Sequence, residues 1–150
     1  MRNIDSYTHT RGESVYLDDI PEIAGTLNAA VYGSPEAHGI IKQLHLDDAL
    51  AVKGVVKILT NKDIPGKNQI GGIVKDEPLL ADGVVHFNGM PVAIVVAENA
   101  DAAHEAVKKI KIDIEPLPVV TLARVAQQNG ALIVPPRTFK IGDSQSAFAQ

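Results

Sequence analysis

The chain contains no cysteine and no tryptophan among its 150 residues. The absence of cysteine excludes disulfide bonds, iron–sulfur ligation, thiolate zinc sites and cysteine nucleophiles from this chain. Aromatic residues are also scarce, with three tyrosines and three phenylalanines. So few rings cannot build a platform that stacks nucleic-acid bases or a sugar-binding surface.

Positive charge is in short supply as well. The 14 Lys and Arg residues against 18 Asp and Glu give a net charge of -4 and a pI near 5.7. Phosphate binding needs clustered Lys and Arg, and here they are scattered, so we expect no nucleic-acid partner. No apolar run approaches the length of a membrane span, and the N-terminus lacks the apolar core of a signal peptide. We therefore expect no membrane association and a cytoplasmic location.

Apolar residues are abundant, and their clearest pattern lies between Gly83 and Pro118. The 45% hydrophobic content is enough for one globular domain with a core. Two apolar runs on either side of Asn88-Gly89 predict a β-hairpin of residues 84–87 and 91–97. Asn99 is a typical helix cap, and the apolar residues after it recur at helical spacing. Ile112 and Ile114 then alternate with acidic residues, which predicts that the helix leads into another strand.

The rest of the chain predicts further short elements. Strands are expected at 26–32, 39–46, 55–60 and 131–134, and helices at 47–53, 121–128 and from Asp143 onward. Residues 1–12 are polar and are expected to be flexible, whereas 61–78 is rich in Gly, Pro and charge and predicts the longest loop. The helical pattern after Asp143 begins and then stops, so we expect the natural chain to continue. This order of elements indicates an α+β domain rather than a doubly wound parallel sheet.

No group of residues in the sequence indicates a catalytic or metal-binding site. The five histidines (His9, His38, His45, His86, His104) show no zinc-type spacing, so structural or solvated roles are favoured. The adjacent acids at 18–19, 47–48 and 76–77 are better explained by turns and caps than by a catalytic pair. Gly71-Gly72 lacks the context of a phosphate-binding loop, and no serine lies in a nucleophile elbow. From its residues alone, the chain is a soluble α+β module without a visible active site.

Six segments, however, resemble those of a known family, in the same order and over nearly the whole chain. They are GESVYLDDIP (12–21), SPEAHGII (34–41), PGKNQIGGIVKDEPLLADG (65–83), NGMPVAIVVAEN (88–99), IEPLP (114–118) and GDSQSAFA (142–149). They resemble the start of the molybdopterin-binding subunit of the molybdenum hydroxylases, the xanthine dehydrogenase and aldehyde oxidase family. SVYLDDIP, KDEPLLADG and LPVVTL are more similar to the xanthine dehydrogenase branch than to the carbon monoxide dehydrogenase branch.

The resemblance implies an α/β-hammerhead domain, with a mixed, largely antiparallel sheet and two to three helices. It implies a division into residues 1–12, a hammerhead at 13–134 and a connector at 135–150 to later molybdopterin-binding domains. The parent enzyme is expected to hydroxylate purines or aldehydes with water, using molybdopterin (Mo), iron–sulfur clusters and FAD on other domains or subunits. No catalytic, cofactor-binding or metal residue is carried over to this chain. Asp76 and Glu77, in the 61–78 loop, are predicted interface residues.

Three functional hypotheses remain. The first is an inactive scaffold and assembly domain, whose partners are the later domains and the iron–sulfur and FAD components. The second is a free-standing protein-interaction module with the same fold, and the third is a hydrolase or small-molecule binder, for which no convergent polar residues are visible. A surface that packs on a larger body leaves apolar area exposed when isolated, so a homo-oligomer is also expected.

Overall fold

The computed structural model describes residues 5–149, which divide into two compact units. The first ends at Leu117 and the second begins at Pro118. In chain order, the elements of the first unit are α1 (Asp5–Arg11), β1 (Asn28–Gly33), β2 (Gly39–His45), α2 (Asp47–Leu50), β3 (Val55–Leu59), β4 (Val84–Val85), β5 (Pro91–Ala97), α3 (Ala100–Lys109) and β6 (Lys111–Pro116). The second unit contains α4 (Ala123–Gln128) and α5 (Ser144–Phe148).

The strands of the first unit form two three-stranded sheets. The first sheet has the order β1-β5-β3 and the second has the order β4-β2-β6. Every strand pair that the structure describes is antiparallel, and three α-helices accompany the sheets in this unit. The predicted α+β class is therefore confirmed, together with the dominance of antiparallel pairing.

The predicted hairpin of residues 84–87 and 91–97 is wrong. β4 pairs with β2, while β5 pairs with β1 and β3 in the other sheet. Gly89 does have the positive φ that its sequence indicated, at 83°. The turn is fixed instead against the end of β1, where the Gly89 N–H donates to the Ser34 carbonyl and the Ser34 N–H donates to the Met90 carbonyl. Asn88-Gly89 thus passes the chain from one sheet to the other.

Two apolar clusters form the core of the first unit. In one, α3 packs on the β1-β5-β3 sheet through the buried alanines Ala102, Ala103 and Ala106. Such small side chains let the helix backbone lie close to the sheet. The other cluster contains Met90, with the buried residues Ala81, Val85 and Val92 and the partly buried apolar residues of β2 and β6. Tyr32 and Leu44 pack against both clusters and so connect the two sheets.

Helix α3 begins where the sequence predicted. The Asn99 side chain accepts a hydrogen bond from the Ala102 N–H, 2.9 Å from Oδ1, and Asn99 itself is extended. An N-cap of this kind satisfies a backbone donor that has no partner inside the helix.

Asn99→Ala is expected to lower the free energy of unfolding by about 1 kcal/mol, because the Ala102 N–H loses its acceptor. Lys108→Ala, at an exposed position of the same helix, serves as the control. Urea unfolding followed by circular dichroism measures both variants, and equal midpoints for the two would contradict the capping role.

Several predicted boundaries differ from the structure. The helix predicted at 47–53 is shorter, and its N-cap is Leu46, a residue without a capping side chain. α1 occupies much of the N-terminal segment that was expected to be flexible, although none of its residues is buried. Residues 1–4 of that segment lie outside the described residues.

The second unit contains two short helices and no strand among its described residues. α4 confirms the helix predicted at 121–128, and Asp143 caps α5 by accepting from the Ser146 N–H at 3.2 Å. The strand predicted at 131–134 is wrong, because these residues are irregular and lie in neither sheet. From Pro118 to Ala149 no described residue is buried. The sequence-based division of the chain at residue 134 stays a prediction.

Candidate functional site

The titratable residues that could carry chemistry form pairs, and His45, Asp47, Asp48, Lys111 and Asp113 line one shallow cavity of about 310 Å³. Within residues 5–149 no group of three or more His, Asp or Glu side chains is placed to hold a metal ion. His45 Nε2 lies 2.9 Å from Asp113 Oδ2, and His104 Nδ1 lies 2.8 Å from its own helix at Ala100 O. The His38 and His86 rings stack with their centroids 6.1 Å apart. This donor set does not fit a molybdenum centre, and no chemical step is assigned to it.

The adjacent acids serve local structure where the structure shows their contacts. Asp19 Oδ2 accepts from the Tyr16 N–H at 2.9 Å, which confirms a turn role. Asp48 Oδ2 lies 2.8 Å from Lys111 Nζ, and this hydrogen bond lowers the pKa of Asp48 and raises the pKa of Lys111. No general acid or base is indicated by these contacts, because both groups are already paired on an exposed face.

An open cleft of about 560 Å³ lies between β2 and the segments 60–62 and 81–83. Its lining includes the apolar residues Ile41, Leu44 and Val92 beside Lys42 and Lys62. The Lys42 ammonium forms an ion pair with Glu115. The Thr60 hydroxyl donates to Asp63 Oδ2 at 3.1 Å and Asp82 accepts from Asn61, so these polar groups serve local contacts, and no catalytic role is assigned to the cleft.

The 61–83 segment contains the best-defined candidate for an interaction site. A hydrogen-bonded loop spans residues 68–80. The Asn68 side chain pairs with the Leu80 backbone, donating to its carbonyl at 2.7 Å and accepting from its N–H at 3.0 Å. Nearer the tip, the Ile70 N–H donates to the Glu77 carbonyl at 2.8 Å. A loop whose polar groups are paired in this way has already lost much of its conformational freedom.

The C-terminal side of this loop is anchored in the core. Leu80 and Ala81 are buried, at 2% and 3% exposure. The Ala81 N–H donates to the Pro91 carbonyl at 2.7 Å, and Asn61 Nδ2 donates to Asp82 Oδ1 at the same distance. The loop therefore projects from a fixed base.

The tip surface, which we define as Ile70, Ile73, Val74, Asp76 and Glu77, is exposed throughout. Ile73 is fully exposed, and half or more of Ile70 and of Val74 is accessible. Asp76 and Glu77 are exposed beside them. The structure thus places the two predicted interface residues together with three apolar side chains that sequence reasoning missed. The available signal was the presence of large apolar residues in a Gly-rich, charged loop.

The Lys75 side chain is directed at the backbone of the loop. Its ammonium folds back and donates to the Gly71 carbonyl at 2.6 Å and the Gly72 carbonyl at 3.2 Å. Gln69 Oε1 also holds the loop by accepting from the Gly71 N–H at 2.5 Å and the Glu77 N–H at 3.2 Å. The tip surface therefore combines apolar side chains with carboxylates.

Gly71 is required by the close approach of the backbone at the tip. A Cβ at this position would overlap the carbonyl oxygen of Val74, whereas a Cβ on Gly72 would meet nothing within 4 Å. The two adjacent glycines therefore differ in function, although the sequence indicated only flexibility for both.

No helix in residues 5–149 has both the length and the apolar character needed to cross a membrane.

Comparison with known proteins confirms the resemblance seen in the sequence. A family model described as "Aldehyde oxidase and xanthine dehydrogenase, a/b hammerhead domain" matches residues 11–118. Mouse (Mus musculus) xanthine dehydrogenase/oxidase is 34% identical over 150 residues, which are 100% of this chain and 11% of that protein. Rat (Rattus norvegicus) aldehyde oxidase 2 is 35% identical over 149 residues, which are 99% of this chain and 11% of that protein.

Solved structures give the same result. The structure of the Cu,Mo-CO dehydrogenase and that of the reconstituted CO dehydrogenase from Oligotropha carboxidovorans each match with a TM-score of 0.74 and 30% identity. Each match covers 84% of this chain and 16% of the other. The chain thus spans only about a tenth of its curated relatives. The chain belongs to the aldehyde oxidase and xanthine dehydrogenase family, of which it is the α/β-hammerhead domain.

Proposed function

We propose that this chain is the scaffold and assembly domain of a xanthine dehydrogenase-like molybdenum hydroxylase subunit. It carries no active site of its own, and it docks through the tip surface on the later, molybdopterin-binding domains of the same subunit. The parent enzyme oxidises purines or aldehydes with water, and its molybdopterin, iron–sulfur clusters and FAD are bound elsewhere. The parent enzyme is located in the cytoplasm, and it binds neither nucleic acid nor a membrane.

The observation that carries this proposal is the tip surface itself. Exposed isoleucine and valine side chains are costly to leave in water, at about 25 cal/mol per Å² of apolar area. Here they stand on a loop that is held by the Asn68, Gln69 and Lys75 side chains and anchored at Leu80. A pre-ordered loop with an apolar, acidic tip supports docking on a rigid partner, because little further ordering is needed on binding.

The small part of its relatives' length that the chain covers supports the same proposal. Both mammalian relatives extend far beyond the 11% that matches this chain. The chain also leaves many large apolar side chains exposed, and its second unit buries none of its described residues. Those surfaces support packing against a larger body, and they support homo-oligomers when the chain is isolated.

Asp76→Ala combined with Glu77→Ala tests the proposal in the complete enzyme. If these carboxylates pair with the later domains, their loss costs about 2 kcal/mol or more of docking free energy, which is roughly 30-fold. We expect less assembled enzyme on native gels and less molybdenum per polypeptide.

Glu36→Ala combined with Asp47→Ala is the control, since both residues are exposed and the change in net charge is the same. Assembly and molybdenum content that match the control would contradict the role of the tip surface.

A further inference from the structure

A second exposed apolar segment precedes β1. Residues 15–27, here called the strap, contain six large apolar side chains and bury none of them (Val15, Tyr16, Leu17, Ile20, Ile23, Leu27). Leu17 and Ile23 are the most open, at 82% and 83% exposure. Single exposed apolar residues are ordinary, but six exposed within 13 consecutive positions are an unusual concentration, and concentrated exposed apolar area is typical of interaction sites.

Local hydrogen bonds hold the strap in shape although it buries nothing. A short 3-10 turn, Leu17–Asp19, is closed by the Asp19 side chain, which accepts from the Tyr16 N–H at 2.9 Å. The Ile20 N–H donates to the Leu17 carbonyl at 3.1 Å. Further along, Thr26 turns back on Ile23 through both its N–H and its hydroxyl, at 3.0 and 2.7 Å. These hydrogen bonds therefore order the backbone of the strap before any partner binds.

The charge of the strap has a single sign. Asp18, Asp19 and Glu22 lie within it, and no Lys, Arg or His occurs from residue 12 to residue 37. Asp19 is used by the turn, whereas Asp18 and Glu22 are exposed among the apolar side chains. A surface that accommodates this segment needs an apolar floor and Lys or Arg side chains along its border.

We propose that the strap is a second docking segment, which lies on an apolar, basic-bordered surface of the later domains in the same polypeptide. This rests on the proposed function, because it takes the same parent subunit as the partner. The family model matches from residue 11, so the strap lies within the matched domain. A second copy of the chain is a less favourable partner for the strap than the later domains. The chain has a net charge of -4, so a second copy would place further negative charge beside an acidic segment.

The strap continues directly into β1, an edge strand of the β1-β5-β3 sheet. Docking of the strap therefore also holds the β1-β5-β3 sheet in place, because no linker separates the strap from β1. The tip surface and the strap then give the domain two separate attachments. Two linked contacts bind more tightly than either alone, since the second forms within an existing complex.

Photochemical carbene footprinting tests this directly, because a carbene inserts into exposed C–H bonds. Labelling of the strap and of the tip surface is compared between this 150-residue chain and the complete enzyme. We expect about tenfold less labelling of both segments in the complete enzyme, as for residues at the desolvated centre of an interface. If the tip surface of the complete enzyme is protected but the strap is labelled, the strap proposal alone is overturned. If both segments are labelled, the proposed function is overturned as well. A strap already protected in the 150-residue chain, and released on dilution, would assign it to a second copy and overturn the proposal.

Leu17→Ser combined with Ile23→Ser supplies an independent readout. Neither side chain is buried, so the melting temperature of the 150-residue chain should match that of Val56→Ser, a change at another exposed apolar position. In the complete enzyme, we expect the double variant to lower the yield of assembled, molybdenum-containing protein about tenfold relative to the Val56→Ser control. Equal yields from the double variant and the control would overturn the proposal.

Discussion

Gly71→Ala is expected to impair assembly of the complete enzyme strongly, because it disrupts the turn that carries the tip surface. The new Cβ would overlap the Val74 carbonyl oxygen, which belongs to the backbone and cannot rotate away as a side chain can. Relief requires the turn to open, and this breaks the contacts of Gln69 and Lys75 with the Gly71 backbone. Overpacking of this kind costs about 1–3 kcal/mol, equivalent to roughly 5- to 150-fold in the docking equilibrium.

The neighbouring glycine is the matched control for this prediction. A Cβ on Gly72 would meet nothing within 4 Å, so Gly72→Ala should assemble as the unchanged enzyme does. Size-exclusion chromatography with molybdenum analysis of both variants measures the difference. If both alanine variants retain full molybdenum content, the shape of the tip surface has no part in assembly.

Gly39→Ala is expected to produce the largest loss of stability in the domain itself. Gly39 lies in β2, the central strand of its sheet, where it is paired with Val85 on one side and Pro116 on the other. An added Cβ would overlap the Ile114 side chain and lie 2.8 Å from the Glu115 carbonyl oxygen. Since the carbonyl oxygen belongs to the adjoining strand, the β2-β6 pair must separate. We expect a loss of about 1–3 kcal/mol in the free energy of unfolding.

Gly66→Ala is the control for the Gly39 substitution. Its Cβ would meet nothing within 4 Å, and its φ is not in the positive region. Such a change leaves stability unchanged or raises it by about 0.4–1 kcal/mol, because the unfolded chain loses freedom. The urea midpoint of the Gly39 variant should therefore fall while that of the Gly66 variant stays or rises, and a common midpoint would contradict the close approach at Gly39.

Elements specified by neighbouring residues were predictable from the sequence. The start of α3 follows from the Asn99 cap, and the apolar spacing after it matches the buried alanines of the helix. β6 likewise follows from the alternation of Ile112 and Ile114 with charged residues. In these cases the contacts that fix the element lie within a few residues of sequence, where spacing carries the information.

Pairings between distant residues were not predictable in the same way. Asn88-Gly89 correctly indicated a turn, but a turn does not determine which strands pair across it. β4 pairs with β2, more than 40 residues earlier in the chain, and β5 lies between β1 and β3. The apolar run at 131–134 was wrongly predicted to be a strand. A β-prone sequence forms a strand only where a partner strand is available.

The candidate site was predicted in part. Loop length and composition led to the 61–78 segment and to Asp76 and Glu77. The exposure of Ile73 and the inward fold of Lys75 depend on hydrogen bonds between Gln69, Gly71 and Glu77, which no periodicity reports. The strap was not predicted either, because the spacing of its large apolar residues does not report that all of them stay exposed.

The mass and molybdenum content of the native polypeptide test the central claim most directly. An antibody raised against these 150 residues would capture the protein from the source cells, and mass spectrometry and elemental analysis would follow. The scaffold account predicts a polypeptide several times larger than 15.9 kDa that carries molybdenum. A polypeptide of 15.9 kDa without molybdenum would contradict it and would indicate a free-standing interaction module instead.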